Sequence, residues 1–358
     1  MATLVIPPAF AWPVQFCIFS TVATYIASIV TSNVSQVDRL WTFLPTIYTA
    51  YFALLPLWPK GEQPFYLVPY TPAALEFAAG EYNPRAVMML SLIITWMFRL
   101  SYNTYRRGLF SLKDEDYRWA VLRTQLHPVL FQIVNLTFIS AIQNVLLLLL
   151  GIPTYIAATQ PVQPLEGRDY GVIVLSLLVL ATEFTSDNQQ FAYQSFKHEF
   201  SRYHKYHQWI GARLDWSADD SGRGFLTRGL WAWSRHPNFA CEQSFWWIMN
   251  LACLPSSHRH SHSVGDLVRI LRAPVFDWQA LLEPLLPLTP ALCLSALFFS
   301  STIYTEAITA SKYPAYAAYQ QRVGMFSPVE TVLKGVKLAL TGKRGEVEKA
   351  IWGSVKSE

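Results

Sequence analysis

The chain has 358 residues, of which 52% are hydrophobic and 15% charged, with 13 Trp and a net charge of +4. Soluble domains carry nearer a quarter charged residues, so the balance points to a membrane protein. No basic tract is long enough for nucleic-acid binding. Cys17, Cys241, Cys253 and Cys293 lie in separate apolar stretches without metal-ligand or redox spacing.

Apolar residues from Ala11 to Val30 match the length of a full span and lack the basic flank of a cleavable signal peptide. They predict a first membrane helix retained in the mature chain. Further apolar segments run at about 41–58, 86–103, 127–152, 170–190, 239–254 and 284–305. Together they predict an all-α, multi-pass membrane bundle of about seven transmembrane helices. Two segments, 41–58 and 239–254, fall short of the roughly 20 residues a crossing needs. With a lumenal N-terminus and a cytosolic C-terminus, twenty-one Lys and Arg fall on cytosolic stretches and six on lumenal ones. That asymmetry fits the positive-inside rule. On this reading, residues 1–125 hold the first three helices and the lipid-substrate side. Residues 126–330 hold the last four, and 331–358 form a polar cytosolic tail, expected to be mobile from Gly335 onward.

Polar residues inside spans are costly and mark function. Glu183, Asp187, Gln190, Gln194 and Lys197 recur at spacings of four, three, four and three, on one stripe of the fifth predicted helix. A polar seam packed on another helix is the plainer alternative. The next segment is Gly229-Leu-Trp-Ala-Trp-Ser-Arg-His-Pro-Asn-Phe-Ala-Cys-Glu242. Pro237 suits a first helical turn, Ser234 or His236 can cap it, and Arg235 beside the free N–H groups makes an anion site. Asn238, Glu242 and Trp246 then share one face, which suits an amphipathic ligand such as a nucleotide. Trp231, Trp233, Trp246 and Trp247 equally suit a membrane-interface helix.

Arg99, Tyr102 and Arg106 share a face at the end of the third predicted span, where snorkelling also explains them. Lys312, Tyr316 and Tyr319 share a face after the last. Asp38 and Arg39, before Trp41, are either a loop pair or orient a substrate at the bilayer surface. His258, His260 and His262 read as a solvated loop rather than a metal site. Rossmann, P-loop, zinc-protease and nucleophile-elbow motifs are absent. A dinucleotide would therefore bind between membrane helices and loops.

The Gly229–Glu242 run resembles the C-terminal signature of steroid 5α-reductase-like membrane proteins. Its Trp-x-x-Ser-Arg-His-Pro-Asn core is similar to that of sterol C14 reductases. Ser35-Gln-Val-Asp-Arg-Leu-Trp41 and Glu115-Asp-Tyr-Arg-Trp119 look like the DUF1295 branch of that group, and the resemblance covers most of residues 35–328. It implies an endoplasmic-reticulum protein of about seven helices, with NADPH held in a cytosol-facing cavity of the later ones. By carry-over, Asp187 and Asn238 match positions that contact NADPH. Glu242 and Trp246 follow along the same helix, and Arg235 and His236 match the sterol-reductase form. Gln190, Lys197, Trp231, Ser234 and Tyr316 complete the expected cofactor set. Where family members commonly carry Tyr-x-Gly-Glu, this chain has Phe239-Ala-Cys-Glu242.

The reaction implied is reduction of an activated C=C bond in a lipid or steroid-like enone, with NADPH supplying the hydride. Tyr48, Tyr102 and Glu76 are the candidate donors that would polarise the carbonyl. Asp38, Trp41 and Arg99 are the candidate substrate contacts, and no metal is expected. Two alternatives stay open. Isoprenylcysteine-type methyltransferases, which use S-adenosylmethionine, share an Arg-His-Pro…Glu motif in a similar architecture. A non-catalytic lipid-binding protein of the same fold is the other.

Overall fold

A computed structural model describes residues 6–198, 204–254 and 283–353. Among the described residues the regular structure is helical, with one isolated bridge between Lys60 and Thr71 and no strand. The predicted all-α class therefore holds. Among the described residues, five helical stretches are long and apolar enough to cross a bilayer: Pro8–Thr31, Pro84–Arg106, Pro128–Ala158, Gly167–His198 and Leu286–Lys312. The two short predicted segments fall below that length. Leu44–Ala53 has 10 residues, spanning about 15 Å against a hydrocarbon core of roughly 30 Å. Pro56, in the tighter turn Leu55–Leu57, follows it and helps stop it there. Pro237–Ala252 has 16 residues.

The chain forms two compact units, Met1–Ser176 with Trp246–Leu294, and Leu177–Phe245 with Ser295–Glu358. In the first, α1 (Ala11–Thr31), α2 (Gln36–Leu40), α3 (Leu44–Ala53), α4 (Pro84–Arg106) and α5 (Tyr117–Gln125) are followed by α6 (Pro128–Val134), α7 (Gln143–Leu149) and α8 (Ile152–Ala158). A π-helical stretch, Asn135–Ile142, joins α6 to α7. Ile18, Val22, Ile26 and Val30 on α1 are exposed, as lipid-facing side chains are. The opposite face is small and polar: Asn135 donates to Ser28 Oγ at 2.9 Å and Asn144 to Thr24 Oγ1 at 3.2 Å. Such bonds join helices where apolar surface gives no driving force. Gly151 allows α3 a close approach, because a Cβ there would sit 2.7 Å from the Cβ of Tyr48. Asn83 caps α4 ahead of Pro84, accepting from Arg85 N and Ala86 N.

The second unit takes α9 (Gly167–His198) from Leu177, then α10 (Ala218–Arg223) and the first turns of α11 (Pro237–Ala252). It continues with α12 (Thr289–Lys312) from Ser295, α13 (Tyr316–Arg322), α14 (Pro328–Leu340) and α15 (Arg344–Trp352). The stretch expected to be mobile is instead helical as far as it is described. Val347 and Ile351, four residues apart on α15, are buried in one apolar cluster with Phe225, Tyr316, Tyr319 and Val323. The charged composition hid that stripe. Arg322 donates to Glu348 at 2.9 Å and ties α13 to α15. The triplet His258, His260 and His262 lies outside the described residues.

Candidate functional site

The second unit is organised around one carboxylate that sequence reading passed over. Glu306, 3% exposed in the apolar helix α12, accepts hydrogen bonds from four side chains. Arg235 grips it with two parallel bonds, Nε to Oε1 at 2.6 Å and Nη2 to Oε2 at 3.0 Å. His236 Nε2 lies 2.9 Å from Oε1, and because a carboxylate only accepts, Nε2 carries the hydrogen. Tyr316 Oη donates to Oε1 at 3.0 Å and Gln320 Nε2 to Oε2 at 2.9 Å. Burial and then the Glu306 charge push the Tyr316 hydroxyl above the ordinary phenol range, so it stays a donor. Arg235 also donates to the carbonyls of Gln320 and Val323, and its own N–H to Gly324 O at 2.9 Å. Arg235, expected as an anion ligand, is thereby committed to protein groups. It welds the loop before α11 to α12 and α13. Ser234 continues the weld, donating to Met325 O at 3.1 Å and accepting from His236 N.

The next layer lies on α9. Asp187, 3% exposed, receives Asn238 Nδ2 on Oδ1 at 3.4 Å. The Oδ1 of Asn238 and the hydroxyl of Ser186 are both buried, and neither has a hydrogen-bond partner among the described residues. The residue that fixes the loop was missed by the stripe: Gln189, whose Oε1 accepts from Leu230 N at 2.9 Å and whose Nε2 donates to Gly211 O at 2.8 Å. Gly229, at φ +64°, is what lets the loop lie so close, since a Cβ there would come within 2.6 Å of the Gln189 amide. Trp231 is buried between them, its indole donating to Ser186 O at 3.4 Å and its carbonyl accepting from the Tyr319 hydroxyl.

The predicted stripe is only partly one face. Glu183 and Asp187 are buried, Gln190 and Lys197 half-buried, and Gln194 exposed. Lys197 donates to Gly224 O at 3.0 Å and Tyr313 Oη at 2.9 Å, closing the loop that carries α10. In that loop Asp220 accepts from Arg223 at 2.6 Å and Arg228 at 3.0 Å. Burial alone would raise its carboxyl pKa, but the Arg228 bond and three further donors hold it below the usual carboxylate range. Glu242 is buried on α11. Trp246, expected beside it in the cofactor set, belongs to the first unit, where its fully buried ring meets Trp96 edge-on at 5.1 Å.

The remaining candidates also lie in the first unit. The three expected donors occupy unlike surroundings. Tyr48 is fully buried against Phe16, Tyr102 is 50% exposed, and Glu76 is an exposed partner of Lys60 at 3.8 Å. Asp38, Trp41 and Arg99 are half-buried. Asp38 accepts from the Trp119 indole at 3.0 Å, and Trp41 donates to Gln143 Oε1 at 2.8 Å. Arg39 reaches past Asp38 to the carbonyls of Ser35 and Asp114, both at 2.7 Å, and Ser111. Val34 N donates to Glu115 at 2.9 Å and Asp116 N to Ser35 Oγ at 3.0 Å. The two N-terminal motifs that read as separate signatures are one clasp. Among the described residues no group of three or more His, Cys, Asp or Glu is placed to hold a metal ion.

Comparison with known proteins places this architecture. The chain is similar to an uncharacterized protein of Schizosaccharomyces pombe, 30% identical over 302 residues, covering 84% of this chain and 74% of that protein. No solved structure matches. The family model described as "Protein of unknown function (DUF1295)" matches residues 24–323, taking in the clasp, the α9 face and the Gly229–Glu242 run. On that match the chain belongs to the DUF1295 family.

Proposed function

We propose that the second unit holds NADPH and that the protein reduces an activated C=C bond of a lipid or steroid-like enone. The observation that carries this reading is the Asp187–Asn238 pair. A carboxylate accepts, and the buried Oδ1 of Asn238 accepts and has no donor among the described residues. Two acceptors side by side suit the N–H₂ of a nicotinamide carboxamide. A buried oxygen left unpaired costs about 1–3 kcal/mol, which a bound amide would recover. The hydroxyl of Ser186, one residue from Asp187, adds a donor of the right type. These groups fit the cofactor, which when bound supplies a hydride.

The residues around them divide by role. Asp187, Asn238, Gln190 and Glu242 are the proposed cofactor contacts. Glu306, Arg235, His236 and Tyr316 fix the first turn of α11 and so position Asn238. Gln189, Trp231 and Ser234 fix the loop before it, and Lys197 closes the α10 loop. The resemblance of the Gly229–Glu242 run to steroid 5α-reductase-like and sterol C14 reductases supports the same chemistry. The spans support residence in a membrane. We place the protein in the endoplasmic reticulum with a cytosolic C-terminus, on the asymmetry of basic residues.

The test is ligand binding to detergent-purified full-length protein, wild type beside Asn238→Ala, with S-adenosylmethionine as control. Micromolar NADPH binding that the substitution abolishes supports the reading. NADPH binding that Asn238→Ala leaves unchanged overturns the assigned site. Binding of S-adenosylmethionine alone favours a methyltransferase, and binding of neither leaves a non-catalytic membrane protein.

A further inference from the structure

Helix α14 is packed on one side, and on the other it is apolar and exposed. Thr331, Gly335 and Leu338 face inward: Thr331 and Gly335 are buried, and Leu338 packs on the cluster around Tyr319. Thr331 Oγ1 donates to Trp233 O at 2.6 Å and accepts from Gly324 N at 2.7 Å, which locks the orientation of the helix. On the outer side Val329, Val332, Leu333, Val336 and Leu340 are between 51% and 84% exposed. Their spacing puts all five on a stripe about 100° wide. A helix face turned to water is ordinarily polar, and a contiguous apolar stripe of this kind needs a cover.

We propose that the outer face of α14 lies in the headgroup–acyl boundary of the bilayer crossed by α12. Three observations select the lipid surface as its occupant. First, α14 is tied to the end of a span: Arg235 binds Glu306, two turns before the end of α12, and also the carbonyls of Val323 and Gly324 just ahead of α14. Second, exposed Lys337 flanks the stripe, with exposed Lys343 following the helix and exposed Lys312 ending α12. These complement anionic headgroups. Third, Trp233, whose carbonyl accepts from Thr331 in the first turn of α14, is 55% exposed, and Trp is favoured at membrane interfaces. The helix is held in the second unit by its inner face and by lipid on its outer one. This inference does not depend on the cofactor reading.

The experiment uses full-length protein in nanodiscs that hold one copy each. Cys241 and Cys293 are replaced by Ser, leaving the buried Cys17 and Cys253. A nitroxide is attached at Leu333→Cys, Val336→Cys or, as a polar reference, Lys343→Cys, and its collisions with oxygen and with a water-soluble nickel complex are measured. Lipid immersion gives oxygen access and nickel exclusion at positions 333 and 336, and nickel access at 343. Nickel access at 333 and 336 overturns the proposal in favour of a water-facing surface. Exclusion of both reagents overturns it in favour of a protein cover. Positions 293, 333, 336 and 343 are exposed and Cys241 is half-buried, and an unchanged thermal unfolding midpoint confirms that the labelled chain is folded.

Discussion

At the scale of single residues, Glu306 decides most. A buried carboxylate bound by a buried Arg is strongly destabilised when one partner goes, because the other charge is left without compensation. Glu306→Ala is expected to cost about 3–5 kcal/mol, read as a lowered unfolding midpoint of purified protein in detergent. Glu306→Gln keeps acceptors for His236 and Tyr316 and should lose less. Equal losses would show that the charge, and not the acceptor, carries the stabilisation. Gly229→Ala meets two obstacles: a positive φ and the side chain of Gln189 at 2.6 Å. It is expected to destabilise the protein, and adding Gln189→Ala should recover only part of the loss, since the backbone strain remains. Full recovery would show that the contact alone matters.

At the scale of elements, the clasp and the α10 loop are the informative pieces. Arg39, 8% exposed, holds carbonyls on both sides of the clasp. Arg39→Ala leaves them without that donor and is expected to cost roughly 1–3 kcal/mol. The measurement is the unfolding midpoint, and an unchanged value would mean that water replaces the guanidinium freely. Asp220 makes a pH prediction. Its folded pKa lies below the ordinary carboxylate range, so its stabilisation is complete above that range and is lost as pH falls below it. Trp216 and Trp231 lie in the chain on either side of this loop. Wild-type fluorescence should change as pH falls below about 4, the unperturbed Asp value. That transition should be absent in Asp220→Asn.

Element boundaries also mark how far the sequence could be read. The long spans were legible because a run of about 20 apolar residues has few other uses. The α9 stripe was legible as a polar face, and Asp187 and Lys197 on it do bond other elements, but it was incomplete. Gln189 and Tyr193 carry its bonds to the loop, whereas Gln194, which fitted the spacing, faces outward. Spacing fixes which residues share a face and not which face a neighbour covers. Glu306 was legible by the same rule that singled out Glu183, a carboxylate inside a span, and only its four partners explain its presence there.

At the scale of the whole molecule, the C-terminal helix α15 packs into the core of the second unit. Val347 and Ile351 complete the cluster that covers Phe225, Tyr316 and Tyr319. Tyr316 in turn donates to Glu306. Ending the chain after Leu340 uncovers those rings and is expected to give aggregation on size-exclusion chromatography. Ending it after Gly353 should give a monodisperse peak. Monodisperse protein from both would show that α15 is dispensable.

Composition and hydropathy by themselves determined that this is an all-helical membrane protein, since burying so many apolar residues with so few charges leaves a bilayer as their solvent. The motifs at Ser35–Trp41, Glu115–Trp119 and Gly229–Glu242 were readable as local chemistry and as a family likeness. Only the tertiary structure decided what each side chain does with its polar atoms. Arg235 looked like an anion ligand and is spent on Glu306, and Asn238, expected at the cofactor, bonds Asp187 and keeps a buried acceptor without a partner among the described residues. The reason is physical: a polar group's role is set by which partners reach it across the fold, and partners 71 residues apart in the chain, as Arg235 and Glu306 are, leave no periodic trace.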